Sequence, residues 1–288
     1  MSPAPTTRAA GSGKPARVRL DQLLVERGLV ESRTRAQALI LGGKVRVGDG
    51  DAARFDRKSG DLVSPDTTVA VTERAPYVSR GGVKLAAALD AFGIDPAGLV
   101  GLDVGASTGG FTDVLLQRGT SRVYALDVGR GQLAEQLRTD PRVVSMERTN
   151  ARELTSSTLP EPIDIATIDV SFISLELILG PVASTLRPSG SIVALVKPQF
   201  EAGRGRTDHG VVRDPVIHRE VIERTVANAA RHGLGTRDVI SSPITGPEGN
   251  REFLIHLATG PGCADIGDRI AEVIAAPGTP DPAEAAGT

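Results

Sequence analysis

From Leu99 to Ala258 the chain alternates short apolar runs with segments whose apolar residues recur every three to four positions. The runs Val100–Val104, Val123–Asp127, Val143–Met146, Ile163–Asp169, Ile192–Val196, Asp238–Ser242 and Phe253–Ala258 are short and rich in β-branched residues, which predicts strands. Helical spacing predicts helices over Gly110–Gln117, Gln132–Leu137, Leu175–Leu186 and Pro215–His232. The last is marked at both ends, with Asp214 as N-cap, Pro215 at the first helical position and Gly233 just past the end. Strands and helices in alternation build an α/β fold, here a doubly wound, mostly parallel sheet of seven strands.

A different pattern occupies the N-terminal part. Leu20, Leu23 and Leu24 share a helical face, with Asp21 in the first turn and Gly28 at the end. Ser32 is a good N-cap for a second helix carrying Ala36, Leu39 and Ile40 on one face. A Gly-Gly stop and a short alternating strand follow. These signals predict a small α+β unit over residues 17–73 and a large domain over 79–275. Residues 74–78 link them, with Pro76 biasing Ala75 towards an extended form. The ends, residues 1–16 and 276–288, are rich in Pro, Ala, Ser and Gly and are expected to be disordered.

Composition narrows this picture. Apolar residues make up 40% and charged residues 24%, as in an ordinary soluble protein, and with no Trp the core must be aliphatic. The single Cys263 excludes an intramolecular disulfide and suits a reducing cytosol, so a cytoplasmic location is expected. No apolar run approaches the ~18 residues of a membrane span. The N-terminus "MSPAPTTRAAGSGKPA" lacks the apolar stretch of a secretory signal. Charge is divided unevenly: residues 1–64 carry +5 (12 Lys/Arg, 7 Asp/Glu), and the remainder carries −7. A basic module joined to an acidic one suggests that the first meets a polyanion.

The basic module resembles the S4 RNA-binding domain, on the text "RLDQLLVERGLVESRTRAQALILGGKVRV". The resemblance implies an RNA-backbone face built from Arg17, Arg19, Arg33, Arg35, Lys44 and Arg46. Arg33 and Arg35 stand in the first turn of a helix, where cations oppose the macrodipole; a contact with phosphate would explain their presence.

In "LDVGASTGGF" a strand ends in a glycine loop that opens a helix, where free N–H groups can meet an anionic group. Gly105, Gly109 and Gly110 do not fit the dinucleotide spacing, because Ser107 stands where its second glycine would be. Nor does Gly-Lys-Ser/Thr close the loop as in a P-loop. Asp127 ends the next strand 22 residues after Gly105, placed to take the hydroxyls of a ribose. Asn150, just after the third strand, is placed to meet an adenine edge. The run "DVGASTGG" resembles motif I of class I S-adenosylmethionine-dependent methyltransferases, with Asp103 as its acidic member. The candidate cofactor residues are Asp103, Gly105, Ala106, Ser107, Thr108, Gly109, Gly110, Phe111, Asp127 and Asn150, and the cofactor expected is S-adenosylmethionine.

Four more charged residues stand at strand ends or beside the sheet: Lys84, Asp169, Lys197 and Glu252. A Lys–Asp–Lys–Glu set suits methylation of a ribose hydroxyl, a weak acid whose proton must leave as it attacks. Lys197 is the candidate base or polarising group, Lys84 and Asp169 assist, and Glu252 positions.

Motif I together with "YVSRGGVKL", "DVSFISL", "VKPQFEAGR" and "GNREFLIHL" resembles the TlyA (haemolysin A-like) family. Its members are ribosomal RNA 2′-O-methyltransferases with an S4 domain joined to an FtsJ-like methyltransferase domain. The resemblance implies that the family's tetrad falls on Lys84, Asp169, Lys197 and Glu252. It further implies a cytidine in 16S and/or 23S ribosomal RNA as target, with ribosomal RNA or subunits as partner. Mycobacterial-type members read R-A-W-Y-V in the linker, where this chain has Pro76. Arg80, and Arg204 and Arg206 in the loop "EAGRGRTDHGVVRDP", are further candidate RNA contacts. Four scattered histidines and one cysteine predict no metal site. A haemolysin would need an apolar or amphipathic membrane segment, and the sequence offers none. The intact tetrad argues against a non-catalytic ribosome-binding protein. A pseudouridine synthase would need a catalytic aspartate in a different fold.

Overall fold

The structure, a computed structural model, describes residues 17–41, 43–48, 53–55, 57–72, 76–203, 205–246 and 248–276. The segments 1–16 and 277–288 expected to be disordered, Arg74 and Ala75 of the linker, and Arg204 lie outside the described residues. The chain divides into two compact units, the first ending at Glu73 and the second opening at Arg74.

The first unit holds β1 (Val18–Arg19), α1 (Leu20–Glu26), α2 (Arg33–Leu41), β2 (Val45–Val47), β3 (Leu62–Val63) and β4 (Val69–Val71). β1 pairs with β3 and β2 with β4, both antiparallel. The leucines that predicted α1 and the Ala36, Leu39 and Ile40 face of α2 close over Val45, Val47, Val63 and Val69 as one core. Ser32 Oγ accepts the Arg35 N–H at 3.2 Å and caps α2.

The second unit begins with α3 (Gly81–Phe92), β5 (Val100–Val104), α4 (Gly110–Gln117), β6 (Arg122–Asp127), α5 (Glu135–Arg138) and β7 (Val143–Glu147). It continues with β8 (Ile163–Ile168), α6 (Leu179–Ala183), β9 (Leu186–Val196), α7 (Pro198–Glu201), α8 (Pro215–Arg231), β10 (Leu234–Ser241), β11 (Phe253–Thr259) and α9 (Ile266–Ala275). The sheet has seven strands in the order β10-β11-β9-β8-β5-β6-β7. β11 runs antiparallel to both its neighbours, and the other pairings are parallel. One face is covered by α3 and α4 through Leu85, Leu89, Val114 and Leu115. The other is covered by α6, α8 and α9 through Leu179, Val182, Val221, Ile222 and Ile270. The chain moves outward from β5 to β7 and then returns to β8 on the other side of β5. The topological switch point therefore lies between the carboxyl ends of β5 and β8, where open sheets of this kind bind ligands.

Several elements differ from expectation. The helix predicted over Leu175–Leu186 is a 3₁₀ turn at Leu175–Leu177 followed by the short α6. β9 starts six residues earlier than predicted, and its "RPSG" segment falls where the pairing with β8 shifts register. A bulge tolerates the missing N–H of Pro188, so a sequence that reads as a turn lies within the strand. The helix predicted at Gln132–Leu137 shortens to α5. The helices α3 and α9 were not predicted at all; α3 opens on Gly81-Gly82, which reads as a breaker. Gly82 is there because a β-carbon would collide with the Tyr77 side chain at 2.4 Å.

Candidate active site

The loop from Gly105 to Gly109 leaves β5 at the switch point. Gly105 has φ +81°, and a β-carbon there would lie 2.6 Å from the backbone oxygen of Asp169. The glycine loop after β5 thus presses directly on the chain leaving β8. Gly109, at φ +98°, has no room for a side chain against Leu133 and Leu137. Ser107, the residue that breaks the dinucleotide spacing, adopts φ +46°, a left-handed conformation that glycine takes more readily.

Asp127 ends β6 and binds this loop. Its Oδ2 accepts the Ser107 N–H at 2.8 Å and its Oδ1 accepts the Gly129 N–H at 2.6 Å. Each carboxylate oxygen retains a lone pair for another donor. An open pocket lies beside it, lined by Ala106, Ser107, Ala125, Asp127, Gly129, Gln132, Leu133, Ser145 and Glu147. Glu147 was not anticipated. It faces Asp127 in the β6–β7 register and accepts the Gly131 N–H at 2.7 Å. A carboxylate at the end of the third strand, in step with one at the end of the second, was the available signal.

Three of the predicted cofactor residues, Asp103, Phe111 and Asn150, stand away from the lining of this pocket. Asp103 is fully buried. Its Oδ2 accepts the N–H and hydroxyl of Thr112 at 2.8 and 2.7 Å, and its Oδ1 accepts Thr167 Oγ1 at 3.1 Å. It fixes the first turn of α4. Burial with no cation alongside pushes its carboxyl up to about 6, hydrogen bonds from Thr112 and Thr167 working against that shift. Phe111 is 2% exposed and packs in the core under α3. Asn150 spends its side chain on local capping: Oδ1 accepts the Arg152 N–H at 3.1 Å, and it does not line the pocket. Ala106, Gly109 and Gly110 are buried around the loop, while Ser107 and Thr108 are exposed at its tip.

The tetrad separates into two ion pairs. Lys197, the first residue after β9, places Nζ 2.6 Å from Asp169 Oδ1 and donates to Ser171 Oγ at 2.9 Å. The ion-paired Asp169 oxygen has no hydrogen bond, so the lysine approaches it off the hydrogen-bonding directions. Lys84, one turn into α3, meets Glu252 Oε2 at 2.5 Å, and Glu252 Oε1 accepts Gln199 Nε2 at 3.3 Å. The Asp169 side chain is 23% exposed and that of Glu252 is 1% exposed. α3 and Asp169 are neighbours, since a β-carbon on Gly81 would lie 3.6 Å from Asp169 Oδ2. Ser171 and Gln199 escaped sequence reasoning; each lies two residues from a tetrad member, but an isolated Ser or Gln carries little signal.

The basic residues of the first unit are partly engaged. Asp21 is fully buried; Arg19 donates to both its oxygens at 3.0 Å, and Arg33 and Gln37 donate to Oδ2 at 3.1 and 2.9 Å. These partners, Arg19 foremost, hold the Asp21 carboxyl far below its usual range. The cation in the first turn of α2 therefore answers a buried carboxylate, which a phosphate contact is not needed to explain. Arg17, Arg35 and Arg80 are exposed, and Lys44 and Arg46 are half-buried. Arg206 pairs with Glu220 at 2.6 Å, so a phosphate there would compete with a carboxylate.

Residues 77–259 match the FtsJ-like methyltransferase family, and residues 18–49 match the S4 domain. A Mycobacterium tuberculosis (strain H37Rv) protein named 16S/23S rRNA (cytidine-2′-O)-methyltransferase TlyA is 47% identical over 244 residues, 84% of this chain and 90% of the relative. Hemolysin A of Brachyspira hyodysenteriae is 39% identical over 242 residues, 83% of this chain and 99% of the relative. A solved structure of a hemolysin-named protein from Streptococcus thermophilus aligns with a TM-score of 0.67 and 42% identity, covering 90% of this chain and 96% of that one. Among the described residues no helix is long and apolar enough to cross a membrane. The matched span and these identities show that the chain belongs to the FtsJ-like methyltransferase family, in its TlyA branch, with an S4 domain at the N-terminal end.

Proposed function

We propose that this protein transfers a methyl group from S-adenosylmethionine to the ribose 2′-hydroxyl of a cytidine in 16S and/or 23S ribosomal RNA, in the cytoplasm. One observation carries the reading. The glycine loop after β5 abuts the backbone of Asp169, whose carboxylate holds Lys197 at 2.6 Å, so donor loop and proton acceptor share one sheet edge.

The pocket beside the loop fits the cofactor. Asp127 would take its ribose hydroxyls with the lone pairs left free by Ser107 and Gly129, and the loop at Ala106–Thr108 would meet the methionine end. S-adenosylmethionine supplies an electrophilic methyl group on a positively charged sulfur. The acceptor oxygen must shed its proton as its bond to that methyl forms and the carbon–sulfur bond breaks. Lys197 Nζ is the group placed to receive this proton. Asp169 and Ser171 hold the amine at the sheet edge. Lys84 and Glu252 stand behind it and fix α3 against β11. Arg17, Arg35, Lys44 and Arg46 would bind the RNA backbone, with the outer faces of Arg19 and Arg33, while Arg80 would serve beside the site.

The test incubates purified protein with methyl-labelled S-adenosylmethionine and ribosomal subunits. Label in the RNA, abolished in Lys197→Ala while cofactor binding persists, is expected. A fully active Lys197→Ala variant contradicts the mechanism.

A further inference from the structure

A further buried carboxylate stands on this sheet edge with no part in the chemistry above. Glu201 closes α7, one turn after Lys197, and is 8% exposed. Its Oε2 accepts Ser174 Oγ at 2.6 Å and its Oε1 accepts the Leu175 N–H at 2.8 Å. Its backbone oxygen accepts a guanidinium N–H from Arg224 of α8. Ser174 and Leu175 begin the 3₁₀ turn that ends the loop leaving β8 at Asp169.

The segments following β8 and β9 are therefore joined by hydrogen bonds at two levels, with the Phe172 and Phe200 rings in contact between them at 4.8 Å. Near the strand ends, Lys197 meets Asp169 and Ser171. Further out, Glu201 meets Ser174 and Leu175. Between the two joints Phe172 sits at φ +64°, which side-chain-bearing residues rarely adopt. Such a conformation persists only where the surroundings over-determine it. Ser171, the residue before it, delivers its hydroxyl to Lys197. Released at its outer joint, the loop would let Ser171 leave the lysine, while Asp169 stays tied to β5 through its N–H to the Val104 oxygen at 2.9 Å.

We propose that Glu201 is a positioning residue for methyl transfer: it clamps the 170–174 loop so that Ser171, beside Asp169, aims the Lys197 amine at the acceptor hydroxyl. This rests on the methyl-transfer reading. The test measures single-turnover transfer to ribosomal subunits at saturating S-adenosylmethionine, its pH profile, and cofactor affinity, on the full chain. Glu201→Ala is expected to slow transfer about a hundredfold, the order of loss from misplacing a catalytic group by about 1 Å. The midpoint of the pH profile should move and cofactor affinity should hold. Glu201→Gln keeps an acceptor for Leu175 and a partner for Ser174, and should recover most of the rate. A Glu201→Ala protein that is merely less stable, with unchanged rate and midpoint once folded, overturns the proposal. If that variant does not fold, Ser174→Ala decides: a slower rate with a moved midpoint supports the clamp, and an unchanged pair overturns it. A wild-type protein that transfers no methyl group would instead fail the underlying reading.

Discussion

The two lysine–carboxylate pairs have nearly equal separations and very different surroundings. Lys84 and Glu252 lie 2.5 Å apart with side chains 9% and 1% exposed. Lys197 and Asp169 lie 2.6 Å apart with side chains 11% and 23% exposed. The first pair links α3 to β11 and is closed off further by Gln199. The second opens towards the glycine loop and has a hydroxyl, Ser171, on the lysine. Contact distance does not distinguish the two pairs; access to the carboxylate does. On the proposed mechanism the proton goes to Lys197 and the architecture to Lys84.

The sharpest way to break this assignment is to remove each lysine in turn. Lys197→Met should lower the transfer rate by about 10²–10⁴-fold, the usual worth of a positioned general base, with cofactor affinity unchanged. Stopped assays alongside equilibrium binding check it. Lys84→Met should act first on stability, since it leaves Glu252 buried and unpaired at a cost of about 3–5 kcal/mol. Urea unfolding would show the loss, and pairing it with Glu252→Leu should restore most of the stability and, with it, most of the activity. A smaller effect is expected at the donor side. Asp127→Ala removes a charged acceptor worth about 1.5–3 kcal/mol per hydrogen bond, so calorimetry should find S-adenosylmethionine binding weakened by roughly 10- to 100-fold.

The comparison extends to two buried aspartates that titrate in opposite directions. Asp103 has no cation beside it, and burial raises its carboxyl to about 6. Its folded value exceeds the unfolded one, so its stabilising contribution is complete below the ordinary carboxylate range and is lost as pH rises through 6. Asp21, surrounded by Arg19, Arg33 and Gln37, is lowered, so its contribution is present above that range and lost as pH falls. The stability advantage of Asp103→Asn over wild type should therefore grow from pH 4 to pH 7, by about 3 kcal/mol at most. The disadvantage of Asp21→Asn should shrink below pH 4. Denaturant midpoints across pH, both variants against wild type, check the two signs.

Much of the fold was legible because alternation in the strands and spacing in the helices follow from burial on a two-sided sheet. α8 was read correctly at its start because Asp214 accepts the Val216 N–H at 2.8 Å, a local event. The start of β9 was missed because Pro188 is tolerated only through a register shift with β8, a non-local one. The tetrad residues could be named from the sequence, but their pairing could not, because it depends on which strands become neighbours. The partners of Asp103 were hidden for the same reason. Its place after Leu102 on β5 says nothing of the Thr112 and Thr167 groups that enclose it. Glu201 carried no signal beyond being one more glutamate near a strand end.

The most direct test of the central claim asks which atom receives the methyl group. Ribosomal RNA labelled by the wild-type protein is hydrolysed completely in alkali, a cleavage that requires a free 2′-hydroxyl. Methylation of the 2′-hydroxyl predicts label in alkali-resistant dinucleotides whose 5′ residue is 2′-O-methylcytidine. Label confined to ordinary mononucleotides, carried on the base, would contradict it.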